Sequence, residues 1–121
     1  MARSHRVILV EDHADTAECL RRFLTGIGYK VYVAPDVASA RALATAVAFD
    51  VLLSDLRLPD GTGWDLMEEL SAKQPIRAIA ISGYNTEDDI ARSREVGFLD
   101  HLAKPLIFEE LTAAIDQAVA R

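Results

Sequence analysis

The chain has one cysteine, Cys19, so it cannot form an internal disulfide and nothing in it asks for an oxidising compartment. Long apolar runs are also missing. Behind the basic start, Met1 to Arg6, the apolar run is only Val7-Ile8-Leu9-Val10. That is too short for the core of a signal peptide and far too short to span a bilayer. Positive charge is scarce: 13 Lys+Arg stand against 19 Asp+Glu, a formal charge of −6, which disfavours direct contact with a nucleic-acid backbone. No stretch reads as a linker, a low-complexity segment or an internal repeat. The 121 residues, half of them apolar and 26% charged, are therefore expected to fold as a single cytoplasmic domain, 1–121, with its own core.

What is present is an alternation of short apolar runs with segments of helical period. The runs are Arg6–Val10, Lys30–Ala34, Phe49–Ser54, Arg77–Ile81 and Phe98–Leu102. Val7–Val10 and Val51–Leu53 are continuously apolar, as strands covered on both faces require. Between the runs, Ala17, Leu20, Leu24 and Ile27 recur at helical spacing, with Gly26 and Gly28 as stop signals. Val37–Val47 is alanine-rich and reads as a second helix. Leu66, Met67 and Leu70 mark a third after the Asp60-Gly61 turn signal. Thr86-Glu87-Asp88-Asp89 reads as an acidic capping box opening a fourth helix that Gly97 ends, and Leu111, Ala114, Ile115 and Ala118 mark the last. Five β–α alternations predict an α/β fold: a five-stranded parallel sheet with helices on both faces. The common flavodoxin-like order, 2-1-3-4-5, is the expectation; the residues do not derive it.

In such sheets ligands bind beyond the carboxyl ends of the strands. Those ends carry Glu11-Asp12, Asp55, Ser82-Gly83 and Lys104-Pro105. Three carboxylates converging beside one lysine repel one another unless a cation joins them. Oxygen-only ligands favour Mg²⁺, with Mn²⁺ as a substitute, over zinc. Taken singly, each residue has a plainer reading. Glu11-Asp12 would cap the following helix, Ser82 would be a loop serine, and Lys104 one surface lysine among several. Asp55, at the end of a buried run, resists such a reading.

The ordered set Val7-Ile8-Leu9-Val10-Glu11-Asp12, Asp55-Leu56-Arg57-Leu58-Pro59-Asp60-Gly61, Ile81-Ser82-Gly83 and Lys104-Pro105 resembles the receiver domain of bacterial two-component response regulators. Ile81-Ser82-Gly83-Tyr84 and Phe98–Pro105 look most like receivers of hybrid sensor kinases. The resemblance implies that Asp55 accepts a phosphoryl group from a histidine kinase or histidine phosphotransfer protein. It further implies that Glu11, Asp12, Asp55 and the backbone carbonyl of Arg57 hold Mg²⁺. Ser82 and Lys104 would contact phosphoryl oxygens, the Lys104-Pro105 bond would be cis, and a downstream protein partner would read the outcome. Such a domain catalyses only its own phosphorylation and dephosphorylation. Gly83 would leave room for the phosphoryl group, while Arg57 and Tyr84 occupy positions that influence its lifetime. One departure stands out: receivers usually carry Tyr or Phe three residues before the lysine, as a switch that moves with the Ser/Thr hydroxyl, and here that residue is His101.

Other functions fit less well. A phosphohydrolase of the haloacid-dehalogenase kind needs an acid/base Asp two residues after the nucleophile, where Arg57 stands. A flavin or nucleotide binder needs a Gly/Ser/Thr-rich loop after the first strand, where Glu11-Asp12 would repel phosphate. The remaining alternative is a degenerate receiver, a phosphorylation-independent interaction module. No metal-ligand spacing links His5, His13 and His101. Cys19 is expected to be packed or inert, and Trp64 to serve packing or partner contact.

Overall fold

A computed structural model describes residues 5–83 and 85–120. Its strands and helices are β1 (Arg6–Val10), α1 (Ala14–Gly26), β2 (Lys30–Ala34), α2 (Val37–Ala46), β3 (Val51–Asp55), β4 (Arg57–Leu58), β5 (Gly61–Thr62), α3 (Gly63–Ser71), β6 (Ala78–Ser82), α4 (Glu87–Val96), β7 (Asp100–Ala103) and α5 (Phe108–Val119). Five parallel strands form the central sheet in the order β2-β1-β3-β6-β7. Counting only these five gives the 2-1-3-4-5 order. The antiparallel pair β4-β5 is a small separate ribbon that periodicity did not suggest.

Side chains alternate across a strand, and here both faces are covered. Val7, Leu9, Val51, Leu53, Ile79 and Ile81 pack with Leu20, Leu24, Leu111 and Ile115 of α1 and α5. Ile8, Val10, Leu52, Ala78 and Ala80 pack on the other side with Ala40 of α2 and with Trp64, Leu66, Met67 and Leu70 of α3. The helices begin where local chemistry permits. Asp36 caps α2, Thr62 caps α3, and Thr86 with Asp89 forms a complete capping box on α4. Gly97 ends α4 at φ 106°, a conformation that costs glycine little. α1 is different: it follows His13 with no side-chain cap, so Glu11 and Asp12 do not serve it as caps.

Two expectations shift. Ile27 lies just past α1 and is 42% exposed, so the apolar stripe of that helix stops at Leu24. β3, β6 and β7 start one or two residues later than their apolar runs. Phe49 and Asp50 precede the ladder, and the Asp50 carboxylate instead accepts the Arg6 N–H at 2.7 Å.

Candidate functional site

The parallel registers carry four strand ends to one edge. Val10 lies beside Ser54, Asp55 beside Ile81, and Ser82 beside Ala103. The next residue after β1 is Glu11 and the next after β7 is Lys104, so the chemistry-bearing residues emerge together. Lys104 Nζ donates to Glu11 Oε1 at 2.6 Å and to Asp55 Oδ2 at 2.8 Å. Both acceptors are buried, Glu11 at 1% exposure and Asp55 at 5%. The Lys104-Pro105 peptide is cis.

Asp55 is fixed at both oxygens. Oδ1 accepts the Leu56 N–H at 2.7 Å and, more weakly, the Arg57 N–H at 3.5 Å, while Oδ2 faces the lysine. Burial raises the Asp55 pKa, and the Lys104 hydrogen bond offsets that only in part. Burial acts on Glu11 as well, yet hydrogen bonds from Lys104 and His13 hold its carboxyl below the ordinary value. The two carboxylates answer to one ammonium, which burial outweighs at Asp55 but not at Glu11. Lys104 itself pays for desolvation, but its two anionic partners raise its pKa.

Asp12 reaches the same place without joining the bridge. Its Oδ1 is buried with no hydrogen-bond partner; the His13 ring, 3.4 Å away, makes an ionic contact but no hydrogen bond. Carboxylate oxygens of Glu11, Asp12 and Asp55 and a ring nitrogen of His13 lie within 4.8 Å of one another. An orphaned anionic oxygen in a cluster of this kind fits a hard divalent cation. His13 is a member that spacing missed. Its Nδ1 lies 3.0 Å from Glu11 Oε2, a hydrogen bond that raises the exposed imidazole's pKa, with Asp12 adding to the shift. It follows Asp12 directly, and its adjacency to the acidic pair was the available signal.

Gly63 is a second missed residue. A Cβ there would stand 2.4 Å from the Asp55 carbonyl oxygen and 3.0 Å from Ser54 Oγ. The first residue of α3 must therefore be glycine for the backbone of Asp55 to sit where it does. By contrast, a Cβ at Gly83 would meet nothing within 4 Å, so no contact within the chain itself requires glycine there. The Arg57 side chain turns to Trp64 and Asp89, its guanidinium 5.2 Å from the indole centroid and 3.8 Å from Asp89 Oδ1. Ser82 is fully buried, and its carbonyl accepts the Lys104 N–H at 2.8 Å. His101 is half-buried, with both ring nitrogens in hydrogen-bond contact. Trp64 is 2% exposed, which makes it a packing residue. Cys19 is exposed on α1. Tyr84 lies outside the described residues.

Residues 7–116 match the family model of the response regulator receiver domain. The chain belongs to that family. This receiver is 31% identical over 117 residues to the transcriptional regulatory protein CusR of Escherichia coli K12, covering 96% of the chain and 52% of the relative. It is 32% identical over 110 residues to the photosynthetic apparatus regulatory protein RegA of Rhodovulum sulfidophilum, covering 90% and 60%. The receiver thus spans about half the length of such relatives. Among solved structures, the non-phosphorylated HemR receiver domain of Leptospira biflexa matches with TM-score 0.90 and 28% identity, covering 98% of this chain and 96% of that one. A receiver domain protein from Methanospirillum hungatei JF-1 matches with TM-score 0.92 over 98% and 95%, and at 24% identity it attests the fold alone. Receivers are signalling modules of two-component systems, not enzymes that turn over an external substrate. No helix among the described residues is long and apolar enough to cross a membrane.

Proposed function

We propose that this receiver takes a phosphoryl group onto Asp55 from a phosphohistidine donor, a histidine kinase or histidine phosphotransfer protein, and that the modified state alters its affinity for a downstream protein in the cytoplasm. The observation that carries the reading is the shared ammonium of Lys104, which bridges Glu11 and Asp55 while the Asp12 Oδ1 beside them has no hydrogen-bond partner.

In this reading Glu11, Asp12, Asp55 and the Arg57 carbonyl hold Mg²⁺, or Mn²⁺ in its place. The bound cation supplies charge neutralisation between the nucleophile and the phosphoryl oxygens. The chain's own residues do the rest. Backbone amides of Leu56 and Arg57 orient the Asp55 carboxylate, so the nucleophile is positioned before the donor arrives. One carboxylate oxygen bonds to phosphorus as the donor's phosphorus–nitrogen bond breaks, and the imidazole leaves with the bonding pair. The product is an acyl phosphate. Lys104 then gives up a carboxylate partner for a phosphoryl oxygen, and Ser82 donates its hydroxyl to another. The domain acts on itself and releases its phosphoryl group to water.

Incubation with acetyl phosphate and Mg²⁺, followed by intact-mass measurement, should show one added phosphoryl group on the wild type and none on Asp55→Asn. Modification of Asp55→Asn at the wild-type rate would move the nucleophile elsewhere. An unmodified wild type would favour the phosphorylation-independent interaction module.

A further inference from the structure

α1 opens on a residue that does not cap it. Ser, Thr, Asp and Asn are favoured at a helix N-cap, because a short side-chain oxygen accepts a free amide of the first turn. Asp36, Thr62 and Thr86 do this for α2, α3 and α4. His13 holds the same place on α1 in extended backbone, φ −81° and ψ 111°, and its side chain caps nothing. The imidazole instead turns back toward the strand edge, with Nδ1 3.0 Å from Glu11 Oε2 and 3.4 Å from Asp12 Oδ1. Local propensity gives way where a site asks something else of a residue.

The two oxygens that His13 faces are ones that Lys104 leaves. The ammonium takes Glu11 Oε1 and Asp55 Oδ2, while Glu11 Oε2 meets the imidazole and Asp12 Oδ1 is buried with no hydrogen-bond partner. Donor atoms around one ion, at bond lengths of about 2.1 Å, stand roughly 3 Å apart when adjacent and about 4.2 Å when opposite. Both His13 distances fall in that range. One donor atom from each of Glu11, Asp12, His13 and Asp55 lies within 4.8 Å of the others. The His13 N–H also donates to Glu11 Oε2 at 3.1 Å, which ties the root of the side chain to the acidic pair. The ring is 71% exposed, so core packing does not fix its orientation.

We propose that His13 Nδ1 is a ligand of the cation site, and that this nitrogen lets the site take a borderline transition-metal dication such as Zn²⁺ in competition with Mg²⁺. The proposal rests on the reading of Glu11, Asp12 and Asp55 as cation ligands. Oxygen donors alone suit Mg²⁺, which dehydrates reluctantly and keeps several waters. An imidazole among carboxylates suits Zn²⁺, Co²⁺ and Ni²⁺. Ligation uses the lone pair of Nδ1, so the ring's one proton then sits on Nε2. Zn²⁺ outranks Mg²⁺ at most nitrogen and oxygen sites, so a bare preference for it decides nothing. The discriminating quantity is what removal of the imidazole does to the ratio of the two affinities.

The experiment titrates the full chain with Zn²⁺ and, separately, with Mg²⁺ by calorimetry at pH 7.5. It compares the wild type with His13→Gln, a change at an exposed position that keeps a polar side chain but no imidazole. The ratio of Zn²⁺ to Mg²⁺ affinity should fall at least about tenfold in the variant, a loss typical even of groups that only orient metal ligands. In ¹H–¹⁵N spectra of the wild-type imidazoles, Zn²⁺ should move the His13 Nδ1 resonance. That resonance is the one missing from His13→Gln, which separates it from those of His5 and His101. Asp12→Ala should abolish the shift at the Zn²⁺ concentration that saturates the wild type. An unchanged affinity ratio in His13→Gln, or a stationary Nδ1 resonance at saturating Zn²⁺, would overturn the imidazole ligand and leave the Mg²⁺ site standing. Equal tightening of both ions in His13→Gln would make His13 a placeholder that the cation displaces, and would overturn it too. Wild-type affinity of Asp12→Ala for both ions would overturn the cation reading itself, and the His13 ligand with it.

Discussion

Replacing Lys104 by Met removes the ammonium but keeps an unbranched apolar stem of similar length, so the loss of charge is separated from the loss of packing. In the variant, Glu11 and Asp55 remain buried with nothing between them. Their carboxylate oxygens come within 4.8 Å of each other. Two unit charges at that separation repel by roughly 3.5 kcal/mol at an effective dielectric constant of 20. The lysine side chain is itself 21% exposed, so water will enter its place and reduce the penalty to about 2–3 kcal/mol. The effect has a pH signature. Without the lysine, the folded-state pKa values of this carboxylate pair move upward, because burial remains while the hydrogen bonds from Lys104 that oppose it are gone. A raised folded pKa favours the fold while the proton is held, and the advantage disappears as pH climbs through it. The deficit against wild type should therefore be small near pH 4 and fully developed by pH 8. Urea unfolding in metal-free buffer, followed by Trp64 fluorescence, should show the midpoint at pH 8 lowered by about 1 M or more with an unchanged slope. Equal midpoints for variant and wild type at pH 8 would show that the bridge does not neutralise these carboxylates in the folded chain.

Gly63→Ala should destabilise the domain by about 1–3 kcal/mol, because the new methyl group's tightest collision is with backbone, the Asp55 carbonyl oxygen. The same variant should phosphorylate more slowly, since Asp55 must yield to make room; acetyl phosphate kinetics check this. On α1, Arg21 and Arg22 hold the Glu18 carboxyl down at about 2. A lowered folded pKa means its contribution is complete above the ordinary value of 4.5 and fades as pH falls toward 2. Glu18→Gln should therefore narrow the stability gap to wild type in that acid window, as thermal unfolding at pH 3 and pH 6 would report.

Local pattern and long-range placement were unequally legible. β1 and β2 coincide with their apolar runs residue for residue, and the α4 capping box and Gly97 stop appear where the sequence put them. These features are written within a few neighbouring residues. The late start of β3 depends on where its partner strands begin, which no local window contains. The same holds at the site. Glu11, Asp12, Asp55, Ser82 and Lys104 could be grouped because every one follows a strand toward the same edge. The contacts of Ser93 and Asn85 could not be read this way, because their partners Trp64 and His101 are supplied by other elements. Gly63 looked like any residue after a turn; only the approach of the Asp55 carbonyl shows why a side chain is excluded.

The segment after Asp55 is tied down at every step. Leu56 N–H bonds back to the Asp55 carboxylate, β4 and β5 pair with each other, and Gly63 N–H closes onto the Leu56 carbonyl. At its tip, Asp60 accepts the Val37 and Ala38 N–H groups at the start of α2, at 2.8 and 3.0 Å. The conformational entropy of this stretch is thus spent during folding, before any donor or cation arrives, and ligands meeting it face no ordering cost on that flank. On the opposite flank Gly83 and Asn85 are exposed, and the Asn85 side chain meets the Ser82 carbonyl and the His101 ring. The two flanks therefore differ in what holds them: backbone hydrogen bonds tie one at successive residues, and side-chain contacts of Asn85 hold the other.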